Sequence, residues 1–504
     1  MVFHLIIISP KLQKMPIRRS NLLFVLTLLV SLFIHSMVLA SPLSRKRMTQ
    51  TTLQLTTALD STEMSFREYM GFVKAHHPIA RQAQLLIDGG QANLLRSRGG
   101  FDPKIEVDYD RKEFKGTEYY DQLNAMFKIP TWYGIEFKAG VERNEGTFLD
   151  PSNTVPENGL YNAGVSVNLG KGFLINDRMA TLRKAKIYNE QSLVDRDLLV
   201  NAVLYEAALA YFKWWQIHEE YKVYDQFYVN AQIRFQAVKS SFQAGDKAAI
   251  DTVEASIAAQ NRALNREQAR IQLVKQRLEL SNFLWLNEVP VELQSNIVPQ
   301  SDLNTEIDTT LEIYGFALDE FTIENHPKLR SINFKIDQLD IDRKLKANKL
   351  LPKLTLDYNF LSPEWNEFNS FETSNYKGGI TFSMPLFLRK ERGDLKLSQI
   401  KIADAQYDLA STQLEIKNKV TSIFNELDSY NVQVNMITDI VASSQIMLTG
   451  EERKFELGDS SLFLINSREI KLIDSKLKEI NTYKKLFISK ANLFKSLAVM
   501  PENL

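Results

Sequence analysis

The sequence predicts a mainly α-helical chain that also forms part of a membrane β-barrel and is built from two internal repeats. Three observations lead to this fold class. Two stretches without proline, 174–289 and 386–500, show helical periodicity in their apolar residues. Shorter segments alternate apolar and polar residues, as half-exposed strands do. One order of motifs also occurs twice along the chain.

The composition of the 504 residues excludes several kinds of chemistry. Because the chain has no cysteine, it can form no disulfide, thiolate zinc site, iron–sulfur cluster or cysteine nucleophile, and no lipid can be attached to an N-terminal cysteine. The 61 basic residues equal the 61 acidic ones, so no positive excess is available for phosphates and nucleic acid is not an expected partner. Length alone suggests about three ordinary domains.

The segment 1–40 is predicted to be a secretory signal peptide that is cleaved after Ala40. Basic residues precede the apolar run Leu22–Ile34, and Val38 with Ala40 forms a small-residue cleavage pattern. A transmembrane helix is the alternative, because residues 21–40 are long enough to span a bilayer.

The remainder of the chain is expected to be exported. Met15 is an alternative start to Met1, and residues 41–61 are predicted to be a flexible Ser/Thr-rich leader. No later stretch consists of 18 apolar residues. Any membrane crossing by the mature chain is therefore expected to use strands.

Two parts of the sequence align without a gap. His77–Pro78 aligns with His326–Pro327, and Pro103–Lys104 aligns with Pro352–Lys353. Further along, FQAGD at 242–246 corresponds to FELGD at 455–459. The duplication replaces three ordinary domains with two copies of a unit of roughly 200 residues.

Each repeat is predicted to contain a helix, strands, a long helix, a tight turn and a returning helix. Repeat 1 covers 62–287, with strands within 103–169, a long helix at 175–241, a tip turn at 245 and a helix at 247–287. Repeat 2 covers 313–499, with strands within 353–386, a long helix at 389–455, a tip turn at 458 and a helix at 460–499. Each long helix would measure roughly 100 Å. Residues 288–312 are predicted to form an equatorial linker outside the helices.

Alternation of apolar and polar residues predicts six strands. Two of them follow Pro103 and Pro352, and four more are expected at Leu123–Ile129, Ile135–Val141, Ala163–Leu169 and Ile380–Leu386. Two strands per repeat are expected to span the membrane. The additional pair, at about 121–142, could lie outside the cell, in the barrel or over its mouth. A soluble β-sandwich would show the same alternation and remains an alternative.

Four spanning strands in one chain cannot close a membrane barrel, which needs at least about eight. An open edge in lipid would leave backbone groups without hydrogen-bond partners. Several copies are therefore expected to share one barrel, and their helices would continue as a hollow periplasmic tube.

The helical stretches carry apolar seams that are predicted to hold neighbouring helices together. In the long helix of repeat 2 the seam comprises Leu409, Thr412, Ile416, Val420, Ile423, Leu427, Tyr430, Val434, Ile437 and Val441. In the returning helices it comprises Val253, Ile257, Leu264, Ile271, Val274 and Leu278, then Ile473, Leu477, Ile480, Phe487, Ala491 and Phe494.

Together the motifs resemble TolC-type outer membrane efflux proteins over residues 63–499. They are a helix ending in a His-Pro dipeptide, a proline-led strand and the F-x-x-G-D turn, all duplicated, and a strand exit at Pro385–Phe387. The resemblance implies a TolC-like homotrimer in the outer membrane. Its parts would be a shared 12-stranded β-barrel, surrounded by membrane lipid, and a long periplasmic α-helical coiled-coil barrel.

The resemblance also implies a passive exit duct of a tripartite efflux or type I secretion system. Its partners would be a periplasmic adaptor and an inner-membrane transporter, and barrel insertion alone would hold it in the membrane. The alternative is a periplasmic coiled-coil scaffold or adaptor without a pore. The sequence does not identify the transported substrate.

In this family the tip turns hold the adaptor contacts and the gate. The turn glycines map to Gly245 and Gly458, which precede Asp246 and Asp459. An acidic residue that often lies six positions after the glycine maps to Asp251 in repeat 1.

At that position repeat 2 has Leu464, followed by Asn466, so a carboxylate ring is not expected there. Phe463 or Leu464 would instead form an apolar constriction. The alternative is that the run Leu462–Ile465 packs one hairpin against the next. In addition, the resemblance implies helix-to-barrel transitions at Pro103, Pro352 and Pro385.

No catalytic, cofactor or metal site is predicted. The histidines lack a partner at metal-ligand spacing, and residues 170–172 resemble a phosphate loop without completing its motif. No nucleophile elbow is visible. An enzyme is therefore not expected, and energy coupling would belong to a partner.

Overall fold

The computed structural model describes residues 63–315, 323–364 and 372–501. The predicted signal peptide and flexible leader lie outside these residues. The described part of the chain is mainly helical and contains one large sheet.

From residue 63 to 290 the structure describes four α-helices and seven strands. They are β1 (Glu63–Met64), α1 (Phe66–His76), α2 (Pro78–Arg98), β2 (Lys104–Phe114), β3 (Thr117–Pro130), β4 (Ile135–Glu145), β5 (Leu160–Asn168), α3 (Asp177–Ala244), α4 (Ala249–Ser281), β6 (Trp285–Leu286) and β7 (Val289–Pro290).

The second half continues with fewer strands. Its elements are β8 (Val298–Pro299), α5 (Asn304–Thr310), α6 (Pro327–Asn348), β9 (Lys353–Ser362), β10 (Tyr376–Ser383), α7 (Arg389–Glu456) and α8 (Leu462–Leu497). Strand β10 ends at Ser383, three residues before the predicted end, because Pro385 has no N–H to donate to a strand ladder.

Each His-Pro dipeptide begins a helix. Nδ1 of His77 accepts a hydrogen bond from the Ile79 N–H, and Nδ1 of His326 accepts one from the Lys328 N–H. The proline that follows is suited to a first helical turn, where its missing N–H needs no partner. His77 also ends a helix, as expected, because it is the C-cap of α1, and a 3-10 turn at Ile323–Asn325 ends directly before His326.

The two longest helices, α3 and α7, have 68 residues each. At 1.5 Å per residue each is about 100 Å long. Helix α3 packs along α2, α4 and α6, while α7 packs along α6 and α8. The chain therefore forms an elongated helical part whose length far exceeds its thickness.

The core of the helical part lies about halfway along α3. Phe66 of α1 stacks on Phe212 of α3 with ring centroids 5.2 Å apart, and Phe212 lies 5.6 Å from Phe487 of α8. These rings are fully or almost fully buried. Aromatic pairs of this kind stabilise a core by roughly 1 kcal/mol each beyond the burial of their area.

The linker region lies against this core. Strand β8 pairs in parallel with β1, and the Tyr211 hydroxyl donates to the Met64 carbonyl at 2.7 Å. In α5, Asp308 accepts a hydrogen bond from Lys490 of α8 at 2.7 Å. The segment is thus fastened to the middle of the long helices.

The seams in α7 and α8 pack largely as expected. Buried or partly buried members include Val420, Ile423, Val434, Ile437, Ile473, Ile480, Phe487 and Phe494.

The α4 seam does not pack against another helix of the described chain, and its contact with a neighbouring helix stays a prediction. Val253, Ile257 and Leu264 are more than half exposed, and α4 instead packs within the chain through Ala255 and Ala259 on its other face. Helix α4 has two apolar faces, and the face with small side chains allows the closer approach to α3.

The large sheet is antiparallel and has six strands in the order β10–β9–β5–β4–β3–β2. The additional strand pair forms β3 and β4, which lie between β2 and β5 within this sheet. Strands β2 and β10 are its two edges. In the described ranges, no helix combines the length and apolar character needed to cross a membrane.

Candidate functional site

One face of the sheet is apolar from edge to edge. Residues that lie directly opposite each other on neighbouring strands have side chains on the same face. One such row crosses all six strands through Ile105, Phe127, Ala139, Ala163, Phe360 and Tyr376. Several of these large side chains are exposed in the single chain. An exposed apolar surface of this extent indicates contact with lipid or protein.

The opposite face is polar. The adjacent row consists of Lys104, Lys128, Lys138, Gly164, Asn359 and Lys377. Lys128 forms an ion pair with Glu106, and Lys138 reaches Asp357 at 3.0 Å. The sheet is therefore amphipathic, as expected for a wall between lipid and water.

The predicted transition prolines lie at junctions between helices and the sheet. Pro103 directly precedes β2, Pro352 directly precedes β9, and Pro385 lies in the exposed connection from β10 to α7. The Pro352 carbonyl accepts a hydrogen bond from the Lys171 N–H at 2.9 Å. The exit of β5 is thus tied to the start of β9.

The glycines of residues 170–172 have a structural role at this junction. A Cβ on Gly170 would lie 2.1 Å from the Pro352 carbonyl oxygen, so a side chain cannot be accommodated. The Gly172 N–H donates to the Asn348 side chain at 2.8 Å. These contacts explain the glycine pattern without a phosphate ligand.

The first tip turn is closed by a left-handed residue. Gly245 has φ +86°, and its N–H donates to the Phe242 carbonyl at 3.0 Å. The Asp246 N–H donates to the Ser241 carbonyl at 2.9 Å. A bond over five residues that encloses a left-handed residue is the Schellman end of a helix.

The second tip turn has the same hydrogen-bond pattern. Gly458 has φ +85° and donates to Phe455, while the Asp459 N–H donates to the Lys454 carbonyl at 2.9 Å. Lys247 of the first turn lies 4.7 Å from the ring centroid of Phe455. The two tips therefore touch at one end of the helical part.

The three acidic candidates differ in environment. Asp246 and Asp459 are exposed, whereas Asp251 is partly buried in the first turn of α4. The Asp251 carboxylate accepts a hydrogen bond from the Ala248 N–H at 3.3 Å. A carboxylate at this end of a helix also interacts favourably with the helix dipole. Asp251 thus has a capping role in the single chain.

The apolar run at the start of α8 divides between two faces. Leu462 and Ile465 are 4% and 2% exposed, and Leu462 packs against α3 and α4. Phe463 and Leu464 are 67% and 38% exposed. The inward pair is thus part of the core, while the outward pair is free to contact another chain or line an opening.

A polar network lies just beyond this run. Asn466 donates to Glu254 at 3.1 Å, which joins α8 to α4. Glu469, only 1% exposed, accepts hydrogen bonds from Arg234 of α3 at 2.7 Å and from Arg262 of α4 at 3.0 Å. Three helices therefore meet at one buried carboxylate.

Sequence reasoning missed this network, although one signal was present. Glu469 follows Ile465 by four residues and therefore lies on the same helical face as a buried apolar residue. Nearby, burial raises the pKa of the Glu452 carboxyl, and the Arg234 guanidinium at 3.4 Å only partly offsets this. A hydrogen bond from Ser460 lowers the pKa of Glu451.

The comparisons with known proteins agree with this geometry. Residues 320–498 match the family model described as outer membrane efflux protein. No curated protein was found to be similar in sequence.

Several solved structures share the fold at low sequence identity. The CmeC outer membrane channel of Campylobacter jejuni superposes with a TM-score of 0.59 at 12% identity, covering 86% of this chain and 85% of that chain. The outer membrane protein VceC of Vibrio cholerae superposes with a TM-score of 0.59 at 10% identity, covering 85% of this chain and 95% of that chain. The open MtrE outer membrane channel of Neisseria gonorrhoeae superposes with a TM-score of 0.59 at 11% identity, covering 86% of this chain and 88% of that chain.

The described chain has the fold of outer membrane channels, and its residues 320–498 match the outer membrane efflux protein family. The resemblance to TolC-like outer membrane efflux proteins is confirmed, as is an outer-membrane location with a large periplasmic helical part. The similar proteins are channels rather than enzymes.

Proposed function

We propose that the protein is the outer-membrane exit duct of a tripartite efflux or type I secretion system. Three copies would close one barrel and one helical tube, and substrates would pass through passively. A periplasmic adaptor and an inner-membrane transporter would supply docking and energy.

The observation that supports this proposal most directly is that one chain joins an amphipathic sheet to long helical hairpins. A sheet with one apolar and one polar face continues, through short junctions, into helical hairpins about 100 Å long. Such a shape connects a membrane to a distant site and provides a continuous wall between them.

The free edges of the chain support assembly with further copies. Every residue of β2 and of β10 is exposed, and both outer edges lack a strand neighbour within the described chain. The α4 stripe of Val253, Ile257 and Leu264 is likewise exposed. Edge strands and apolar stripes left open in one subunit are typical of surfaces that a neighbouring copy covers.

The tips are the proposed site of adaptor docking and gating. Asp246 and Asp459 are exposed in the two turns, and Phe463 and Leu464 are exposed at the start of α8. In a ring of three chains these apolar side chains would narrow the entrance or seal neighbouring hairpins. The two turns share one hydrogen-bond pattern, which supports the proposed internal duplication.

The proposal is tested by membrane fractionation and electrophoresis. The full chain should co-fractionate with the outer membrane and migrate in an electrophoretic gel as a heat-modifiable oligomer. Purified protein in planar bilayers should form discrete conducting channels. Recovery as a soluble periplasmic monomer would overturn the duct and favour a scaffold without a pore.

A further inference from the structure

We propose that each chain contributes six membrane-spanning strands, including β3 and β4, so that three copies would close a barrel of eighteen strands. This inference rests on the proposed trimeric duct and changes its architecture. The apolar face of β3 and β4 would contact the acyl chains of lipid, and the edges β2 and β10 would pair with second copies of this chain.

The lengths of the additional strands suit a membrane crossing. Strand β3 has 14 residues and β4 has 11, while β2 and β5 beside them have 11 and 9. A tilted strand needs about 9 to 11 residues to cross the hydrocarbon core. Length therefore does not distinguish the additional pair from its neighbours.

The apolar face continues through the additional pair without a break. A second row of opposed residues runs through Val107, Ala125, Val141 and Tyr161, and a third runs through Ile129, Phe137, Val165 and Tyr358. If β3 and β4 were surrounded by water, nothing would favour apolar residues on the same face as the apolar residues of β2, β5 and β9. Lipid on one side of the whole sheet explains the pattern.

The additional hairpin also spans the full height of the sheet. Its β3–β4 turn lies at the helix junction, where the Trp132 carbonyl accepts a hydrogen bond from Asn176 at 3.1 Å and the Trp132 ring stacks on Phe101 at 5.4 Å. Glu136 at the start of β4 lies 3.5 Å from Arg178 of α3. The hairpin thus reaches from the helical part to the opposite end of the sheet.

The polar face of the hairpin points to the same side as that of the remaining strands. Lys138 of β4 forms an ion pair with Asp357 of β9, although β5 lies between these two strands. The residue of β5 opposite Lys138 is Gly164, which has no side chain to block the contact. A Cβ on Gly164 would lie 2.4 Å from the Asn359 side-chain oxygen. In a barrel this face would line the water-filled lumen.

The strand order allows such a ring to close. Each neighbouring pair from β10 to β2 is antiparallel, so the two edges run in opposite directions. Strand β2 of one copy can therefore pair with β10 of the next in the antiparallel sense. Because barrel diameter grows roughly linearly with strand number, the lumen would be about 1.5 times as wide as with twelve strands.

Single cysteines test the proposal, since the natural chain has none to contribute background. The variants Asn124→Cys on β3 and Glu142→Cys on β4 lie on the polar face, while Ala125→Cys and Val141→Cys lie on the apolar face. Thr355→Cys and Leu356→Cys on β9 form the matched control pair. Each variant, checked for heat-modifiable migration, is embedded in lipid and treated with a water-soluble, membrane-impermeant maleimide.

We expect the polar-face cysteines to be labelled and the apolar-face cysteines to remain unlabelled, in β3, β4 and β9 alike. Labelling of both faces in β3 and β4 with alternation kept in β9 would overturn it, and the duct would stand with fewer spanning strands. Protection of both faces in β3 and β4 would overturn it as well. Absence of alternation in β9 would reject the membrane-spanning sheet itself, and with it the proposed function.

Discussion

Arg262 of α4 donates its Nε–H to the almost fully buried carboxylate of Glu469 on α8 at 3.0 Å. Both side chains are largely removed from water, so the pair depends on its geometry and on a second donor, Arg234. The pair joins the returning helices of the two hairpins close to their tips. The pair therefore fixes the position of α4 relative to α8 at the end of the molecule where docking and gating are proposed.

Glu469→Gln is expected to destabilise the helical part by about 3–5 kcal/mol, because it leaves the buried guanidinium of Arg262 without a negative partner and leaves Arg234 with only the weaker contact to Glu452 at 3.4 Å. Thermal or urea unfolding followed by circular dichroism measures the change. The control is Glu267→Gln, which removes an exposed i, i+3 pair with Arg270 and should cost at most about 0.5 kcal/mol. Equal stability of the two variants would contradict a stabilising role for the buried network.

Gly245→Ala and Gly458→Ala should each destabilise the protein by about 1–2 kcal/mol, because both residues have a left-handed backbone that is unfavourable for a residue with a Cβ. A Cβ at either position would meet no atom within 4 Å, so the cost is conformational only. Gly450→Ala is the matched control inside α7, where alanine should stabilise the helix by up to about 1 kcal/mol. Opposite signs in unfolding experiments are the expected result, and equal signs would contradict it.

Stability should fall as the pH is lowered from about 6.5 to about 4, in part because of His218. Burial, with Lys222 and Arg277 nearby, lowers the pKa of His218 from 6.5 to about 4. The unfolded chain therefore binds a proton in this range before the folded chain does, and the contribution of His218 to stability is lost on acidification.

The measurement is the thermal midpoint of unfolding against pH for the wild type and His218→Gln. The variant should show a shallower acid decline, while above about pH 7 the offset between the two proteins should stay constant, because His218 is neutral in both states. Parallel curves down to pH 4 would show that His218 does not contribute to the loss of stability in acid.

Leu464→Ser is expected to raise single-channel conductance or the open fraction if the outward-facing side chains constrict the entrance. Replacing an apolar group by a small polar one would widen and wet the narrowest point. Leu457→Ser is the control, because Leu457 is also exposed at the tip but lies outside the run 462–465. Unchanged conductance in Leu464→Ser would leave this run with a packing role.

Leu264→Glu should weaken association between copies without unfolding the single chain, because it places a charge in the exposed α4 stripe. The fraction of oligomer, measured by size-exclusion chromatography with light scattering in detergent, should fall. Gln272→Glu introduces the same charge on an exposed part of α4 outside the stripe and should leave the oligomer intact. If both variants behave alike, the stripe is not the contact between copies.

Local features of the chain could be predicted from the sequence. The FQAGD and FELGD segments form turns with left-handed glycines, because the hydrogen bonds that close them join residues only a few positions apart. Pro103 and Pro352 precede strands because proline is excluded from the ladder that follows. The long helices follow from uninterrupted periodicity, and their observed ends lie within three residues of the expected ones.

Contacts between distant residues required the tertiary structure. The alternation in β3 and β4 predicts strands but not their place between β2 and β5, since strand pairing is decided by which faces match across the sheet. Periodicity likewise shows two apolar faces on α4 without showing which one meets α3.

What the sequence determined by itself is therefore what depends on neighbours along the chain: the helices, the strands, the two turns and the motifs of an outer membrane efflux protein. Only the tertiary structure decided that Arg262 meets Glu469, that Leu462 points inward while Phe463 points outward, and that six strands share one sheet. Such pairings join residues far apart in the chain, and their free energies depend on geometry that no local pattern records.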